Sequence, residues 1–291
     1  MNNTMPDLSP EQMRSYVHLI AWRRRTKIEF PGLEFEEKYP EDWKTAFVVA
    51  GKSYFDRDIL IQRDRELVGY RPVQTFGGGQ AKIFHKRTPG RRYIGGVDVA
   101  TGRLANNDDP DYCAAVFLDL ETGEEVGAYR ARVTPEECAY DVADMGRYFN
   151  DAVIAVERTG DGGTCILVLQ GECRYTAVYR HKEWQKRDRK VIEYEGFPTT
   201  PKTRPVALNF VNRAVKDHPE LIWDQEFISE ALSFVRNEKG KPEAATGAHD
   251  DTVSARWVAH AARQAVLGYW QPWLPSKEQG LSSSYVGADR M

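Results

Sequence analysis

Apolar residues recur along the chain in two rhythms, and each rhythm predicts an element. Short apolar runs bounded by turn residues predict strands at Tyr93–Val99 (YIGGVDV), Cys113–Asp119 (CAAVFLD) and Glu125–Val133. The second and third are joined by the turn Leu120-Glu121-Thr122-Gly123. Thr134-Pro135-Glu136-Glu137 reads as a helix start, with a capping box and proline at the first position, and that helix is expected to reach Phe149. Ala152–Glu157 (AVIAVE) predicts a short strand that ends on an acid. Thr164–Leu169 suits a short helix closed by Gly171, and Tyr175–Tyr179 a strand. Helices are expected near Val206–Asp217 and Gln225–Val235. The last helix is expected from Asp250 to Leu267, because Val253, Trp257, Val258, Ala261, Ala262 and Val266 fall on one face. Three meandering strands, then helix, strand, helix, strand and further helices imply an α/β fold with a mixed sheet.

Before Arg91 the rhythm is weaker. Ser9 and Pro10 suit a helix start, and Tyr16, Leu19, Ile20 and Arg23 fit the helix that would continue from them. Ile28–Tyr39 is acidic and proline-broken, and Phe76-Gly77-Gly78-Gly79-Gln80 reads as a loop. The expected division is an N-terminal linker or extension over 1–90, the α/β domain over 91–270 and a disordered Ser-rich tail over 271–291.

Composition adds bounds. The 291 residues are 41% hydrophobic and 29% charged, which suits a globular core. No apolar run approaches the ~20 residues of a membrane span, and the N-terminus lacks the apolar segment of a signal peptide. The formal net charge of −3 neither implies nor excludes nucleic acid, so the placing of basic residues decides. Cys113, Cys138, Cys165 and Cys173 form no CxxC pair and are expected as reduced thiols.

The acids carry the candidate chemistry. Asp98 lies inside the first strand, Glu157 ends AVIAVE, and Asp250 and Asp251 open the last helix. Each alone is most simply a strand-edge acid or a helix start that complements the dipole. Yet an acid in an apolar strand is costly unless paired or metal-bound. Placed on one sheet and the helix beside it, the four fit a convergent cluster. Hard divalent cations take oxygen ligands. Two such ions about 3.5–4 Å apart activate water and stabilise the leaving oxygen of a phosphodiester. Asp98, central on its strand, suits a bridging ligand. Asp250 points about 100° away from Asp251 around a helix, so the pair need not be equivalent. Asp251 is expected to face the metals first, with Asp250 assisting and His249 outside the direct ligands.

YIGGVDVATG, AVIAVERTGDGG, GFPTTPKTRP and GAHDDTVSA, in this order, resemble the nuclease domain of phage large terminase subunits, over about residues 91–267. Residues 1–90 resemble the stretch that joins the terminase ATPase to its nuclease. The resemblance implies an RNase H-like mixed sheet flanked by helices and two Mg²⁺ or Mn²⁺ ions. It implies cleavage of double-stranded DNA with little sequence preference, in the host cytoplasm. Implied partners are double-stranded DNA, the ATPase part of the terminase, its small subunit and the portal. Asp98, Glu157 and Asp251 match the metal-binding triad as catalytic residues, with Asp250 a further ligand. Where many relatives carry another acid, this chain has Ser254. Asp161, in the Gly-rich loop after Glu157, either faces the site or forms a turn.

Basic residues lie nearby in sequence. Arg180 to Lys190 carries six Lys/Arg against two acids and suits one side of a hairpin whose second strand is Val191–Tyr194. Lys182, Lys186, Arg187, Arg189 and Lys190 there, with Lys202 and Arg204 in GFPTTPKTRP, are candidate contacts to DNA phosphates. Trp184 is expected to pack locally, and Arg23, Arg24, Arg25 and Lys27 to form a helix face. Ala46–Ser53 fits a relaxed P-loop, but its bulky β-prone residues do not suit a phosphate cradle. Two other readings remain. Gly96–Gly102 and Gly160–Thr164 mimic the phosphate loops of an actin-like phosphotransferase, which requires ATP. A non-catalytic DNA-binding or capsid-docking module requires no cleavage.

Overall fold

The computed structural model describes residues 9–29, 52–100, 111–185 and 187–271. The acidic stretch from residue 30, the P-loop-like residues 46–51, Lys186 and the tail from residue 272 lie outside them. So does the end of the Gly96–Gly102 loop.

In chain order the elements are α1 (Pro10–Glu29), β1 (Lys52–Ser53), α2 (Arg57–Glu66), β2 (Gln74–Phe76), β3 (Ala81–Ile83) and β4 (Tyr93–Asp98). Next come β5 (Cys113–Asp119), β6 (Glu125–Ala131), α3 (Pro135–Tyr148), β7 (Val153–Val156) and α4 (Gly162–Gly171). The chain continues through β8 (Arg180–Gln185), β9 (Lys190–Glu195), α5 (Thr203–Asp217), α6 (Gln225–Leu232), β10 (Phe234–Arg236), β11 (Pro242–Ala244) and α7 (Asp251–Val266).

The main sheet has six strands in the order β2-β3-β6-β5-β4-β7. β4, β5 and β6 form an antiparallel meander, while β7 runs parallel to β4. The expected strand 175–179 is reduced to one parallel bridge, Ile154 to Val178, held by Ile154 N–H to Ala177 O and Tyr179 N–H to Ile154 O, both at 2.8 Å. Meander, helix, parallel strand, helix and parallel bridge define an RNase H-like α/β arrangement.

The apolar run of β5 lacks a polar face because both sides of the sheet are covered. Ala114, Val116 and Leu118 join the core with α5, α6 and α7, whereas Cys113, Ala115 and Phe117 join the core with α3 and α4. The capping box at Thr134 forms as expected: its hydroxyl accepts from Glu137 N–H, and the Glu137 carboxylate accepts from Thr134 N–H.

Residues 52–90 also build this body. Phe55, Leu60 and Leu67 enter the core, and β3 pairs with β6. Val235, expected in a helix, instead lies in β10, whose partners are β1 and β11. Those pairings satisfy the backbone there, and α6 stops at Leu232.

α7 is the central helix and is buried along most of its length. It meets β4 at Gly96, where a Cβ would fall 2.3 Å from Ala255 O and from Ala259 N. Only glycine permits this approach, which sets α7 directly on the strand that carries Asp98. Arg256, wholly buried, donates Nε to Glu125 at 2.6 Å and Nη2 to Asp224 at 3.3 Å. Glu125 also accepts from Trp223 N–H at 2.7 Å. Paired on both sides, this buried cation anchors α7 to β6 and to the start of α6.

Candidate metal centre

The parallel register of β4 and β7 aligns Val97 with Val156, and Glu157 N–H donates to Val97 O at 2.8 Å. The next residues, Asp98 and Glu157, therefore end two neighbouring strands side by side. The start of α7 brings Asp250 and Asp251 to the same place. The Asp98 carboxyl is pushed well above its ordinary range, first by burial and then by the charges of Glu157, Asp251 and Asp250. A hydrogen bond from Ser254 opposes that shift. Ser254 thus serves the cluster as a donor.

Burial raises Glu157, while the hydrogen bond from Thr159, the nearby Thr199 hydroxyl and the charge of Arg204 lower it, and Asp250 adds repulsion. The Thr159 hydroxyl donates to Glu157 at 2.6 Å. Burial also raises Asp250, with Arg204 opposing. Asp251 is pushed up to about 7, by burial first and then by Glu230. The backbone N–H of Tyr112 donates to it at 3.3 Å and lowers it in part. Glu157 and Asp250 both feel the charge of Arg204, and Asp250 and Asp251 both feel Asp111 and His249.

Asp250 makes no capping hydrogen bond to α7. Glu230 on α6 takes that role: its carboxylate accepts from Thr252 N–H at 2.7 Å and from the Thr252 hydroxyl. Arg130 bridges Glu230 at 3.1 Å and Asp251 at 3.8 Å. The acids of GAHDDTVSA are therefore available for something other than capping.

Asp111 is a site residue the sequence did not single out. Asp98 pairs with Ala114 in the β4–β5 register, so the residues just before β5 lie at the same end of the sheet. Among the described residues, Asp111, His249 and Asp251 form the three-residue group whose ligand atoms all lie within 4.8 Å of one another.

Asp161 precedes α4 and makes no side-chain capping bond. Arg204 donates to Pro242 O at 2.8 Å and lies 4.8 Å over the Trp257 ring, beside Glu157 and Asp250. Lys182, Arg187, Arg189 and Lys190 are exposed on the β8–β9 hairpin, and Lys202 is exposed before α5. Trp184 is half-buried in that hairpin, opposite Val191.

No family model matches the sequence, and no curated protein matches it. Among solved structures, this chain is similar to the large terminase nuclease from thermophilic phage G20c with bound cobalt. The two are 15% identical, over 66% of this chain and 90% of that one, with a TM-score of 0.49. The large terminase nuclease domain of Thermus phage P74-26 is 16% identical, over 68% of this chain and 93% of that one, with a TM-score of 0.45. At such identity the likeness concerns the course of the backbone and not the chemistry of the site.

Proposed function

We propose that this chain is a divalent-metal-dependent endonuclease that cuts double-stranded DNA with little sequence preference. The observation that carries the reading is Asp98, half-buried at the end of a core strand among three further carboxylates. Such a concentration of negative charge is costly without a cation. Its donors are hard oxygens, which suit Mg²⁺ or Mn²⁺. The residues present therefore fit the implied ions. Asp98, Glu157 and Asp251 would hold them, with Asp250 a further ligand. Two ions held there would supply an activated water and stabilise the departing oxygen of a phosphodiester.

The chain's own groups do the positioning. Asp98, which feels the charges of all three other acids, suits a shared ligand. Thr159 fixes the Glu157 carboxylate by a hydrogen bond. Glu230 fixes the first turn of α7 and with it Asp251. Arg204 offers a cation beside Glu157 and Asp250 for a backbone phosphate, and Lys202 lies two residues before it. The exposed Lys182, Arg187, Arg189 and Lys190 would carry the flanking duplex, with Lys186 in the same run of sequence. A role in phage genome packaging, with a terminase ATPase, a small subunit and a portal as partners, rests on the sequence motifs that resemble terminase nucleases.

The test is nicking of supercoiled plasmid with Mg²⁺ or Mn²⁺, compared with EDTA and with Asp98→Asn. Metal-dependent nicking that Asp98→Asn abolishes is the expected result. Undiminished nicking by the variant would sink the proposal.

A further inference from the structure

We propose that the cavity between the end of β6, one face of α6 and the loop before α7 is a nucleotide pocket, which takes one unpaired nucleotide of a DNA strand. That the strand is DNA rests on the nuclease reading, but nucleotide binding can be tested without metal and without cleavage.

The first support is the size of the cavity and the origin of its walls. Its volume is about 490 Å³. Pockets that enclose small organic ligands run from about 300 to 1,000 Å³, so the space exceeds the needs of a single ion and suits a mononucleotide. Among the described residues, Tyr112, Arg130 and Arg132 form one wall. Glu226, Ser229, Glu230 and Ser233 form another. Their spacing of three, four and seven residues places them on one face of α6 and the residue that ends it. The loop from Gly247 to His249 closes a third.

The second support is the arrangement of charge. Arg130 and Arg132 stand two residues apart at the end of β6, which sends their side chains to the same face. Both guanidinium groups lie over the Tyr112 ring, at 3.5 and 4.2 Å. The ring thereby sets two forked donors side by side, as recognition of a phosphate requires. The α6 wall is different, because it offers carboxylates and hydroxyls. A bare inorganic anion would be repelled there. A nucleotide satisfies both walls. Its phosphate meets the arginines, and the amino group of its base donates to a carboxylate, as cytosine N4 does to glutamate. Glu230 is already engaged, by Thr252 N–H and by Arg130 at 3.1 Å. Glu226 is exposed and meets Lys82 through Oε1 at 2.9 Å, which leaves its other oxygen as the acceptor for a base.

The base has to be unpaired. In a duplex its pairing edge is engaged with the opposite strand. Proteins that read a base inside a pocket take it out of the stack, and the cost is least where the base is already single-stranded. The pocket also adjoins the acidic cluster. Tyr112 N–H donates to Asp251 Oδ2 at 3.3 Å, and Arg130 Nη2 lies 3.8 Å from the same oxygen. A nucleotide seated on Tyr112 and Arg130 is therefore one residue removed from Asp251, where a strand crossing the acids would place it.

The experiment uses the full chain in EDTA. Calorimetry titrates dCMP and, separately, inorganic phosphate. Fluorescence anisotropy compares a short blunt duplex with the same duplex carrying a single-stranded cytosine or thymine tail. The chains compared are wild type, Ser229→Phe, which fills the cavity, Arg132→Ala and Glu226→Gln, each first melted to confirm folding. Wild type is expected to bind dCMP more tightly than phosphate and to prefer the cytosine-tailed duplex by roughly tenfold, the discrimination of one good base contact. Ser229→Phe is expected to abolish both preferences. Arg132→Ala is expected to weaken binding and to lower the salt slope by about one phosphate contact. Glu226→Gln is expected to narrow the gap between cytosine and thymine tails. Wild type that neither binds dCMP nor prefers a tail overturns the proposal. So does folded Ser229→Phe with both preferences intact. Binding of dCMP that Ser229→Phe abolishes, without any preference for a tail, upholds the pocket and overturns the DNA strand as its source. Plasmid nicking is scored separately. Ser229-dependent binding without nicking sustains the pocket and overturns the nuclease reading. Nicking with neither preference does the reverse.

Discussion

Gly96→Ala is the sharpest probe of how the fold presents its acids. The added methyl would stand 2.3 Å from Ala255 O and from Ala259 N, and 2.6 Å from Ala259 Cβ. Non-bonded carbons prefer about 3.5–4.0 Å, so α7 or β4 must give way by roughly 1 Å. Overpacking a core typically costs about 1–3 kcal/mol, and these obstacles are backbone atoms of a buried helix held by the Arg256 ion pairs. The expected loss is therefore about 3 kcal/mol or more. The displacement also moves Asp251 relative to Asp98, and a shift of about 1 Å at a catalytic group can cost on the order of 100-fold in rate. Gly95→Ala is the internal control. There the methyl meets the Phe117 ring at 2.9 Å, and a ring can tilt where a backbone cannot. Urea unfolding in EDTA reads the stability, and Mn²⁺-dependent plasmid nicking reads the site. A Gly96→Ala protein destabilised by less than about 1 kcal/mol that nicks at the wild-type rate would refute the close-contact argument.

The same geometry sets three further outcomes. Asp98→Asn should melt several degrees higher than wild type in EDTA at pH 8, because the amide removes a charge that burial, Glu157, Asp251 and Asp250 all oppose; a lower melting temperature counts against the cluster. Arg204→Ala should slow nicking at least tenfold by removing the cation beside Glu157 and Asp250, with Arg204→Lys recovering part of the rate; equal rates for all three proteins in a nicking time course would remove Arg204 from the site. His181, buried among Tyr179, Tyr194, Phe197 and Trp270, has its pKa lowered by burial from 6.5 to about 4. Between those values the unfolded chain binds a proton that the folded chain refuses, so stability falls by about 3 kcal/mol as pH drops from about 6.5 to about 4. Urea midpoints across that range should show a slope that His181→Phe flattens.

Much of the architecture was legible because local and global signals agree. β5 reads as a strand from its unbroken apolar run, and the sheet buries both its faces. α3 announces itself through Thr134, Pro135 and Glu137. β10 was hidden because Phe234–Arg236 is a strand through its partners, Lys52–Ser53 far away in sequence and Pro242–Ala244 just beyond a turn. Residues 74–83 form two three-residue strands, β2 paired with β3 and β3 with β6, and only the second pairing reaches far along the chain. At the site, Asp98 and Glu157 stood out because an acid has no cheap place in an apolar run. Asp111 did not, since it lies in a polar stretch where one more acid signals nothing. Its placement is a product of the β4–β5 register. Glu230 was equally silent: its part at the start of α7 depends on two helices meeting.

The docking of β3 on β6 has a practical consequence. Ala81, Lys82 and Ile83 occupy the hydrogen-bonding edge offered by Tyr129, Ala128 and Gly127. A fragment begun at residue 91, where the regular pattern starts, would leave that edge bare. Unpaired strand edges template association with other chains. Such a fragment would keep every carboxylate of the site and yet expose that edge to self-association, so a separately expressed version of this domain has to begin ahead of β2.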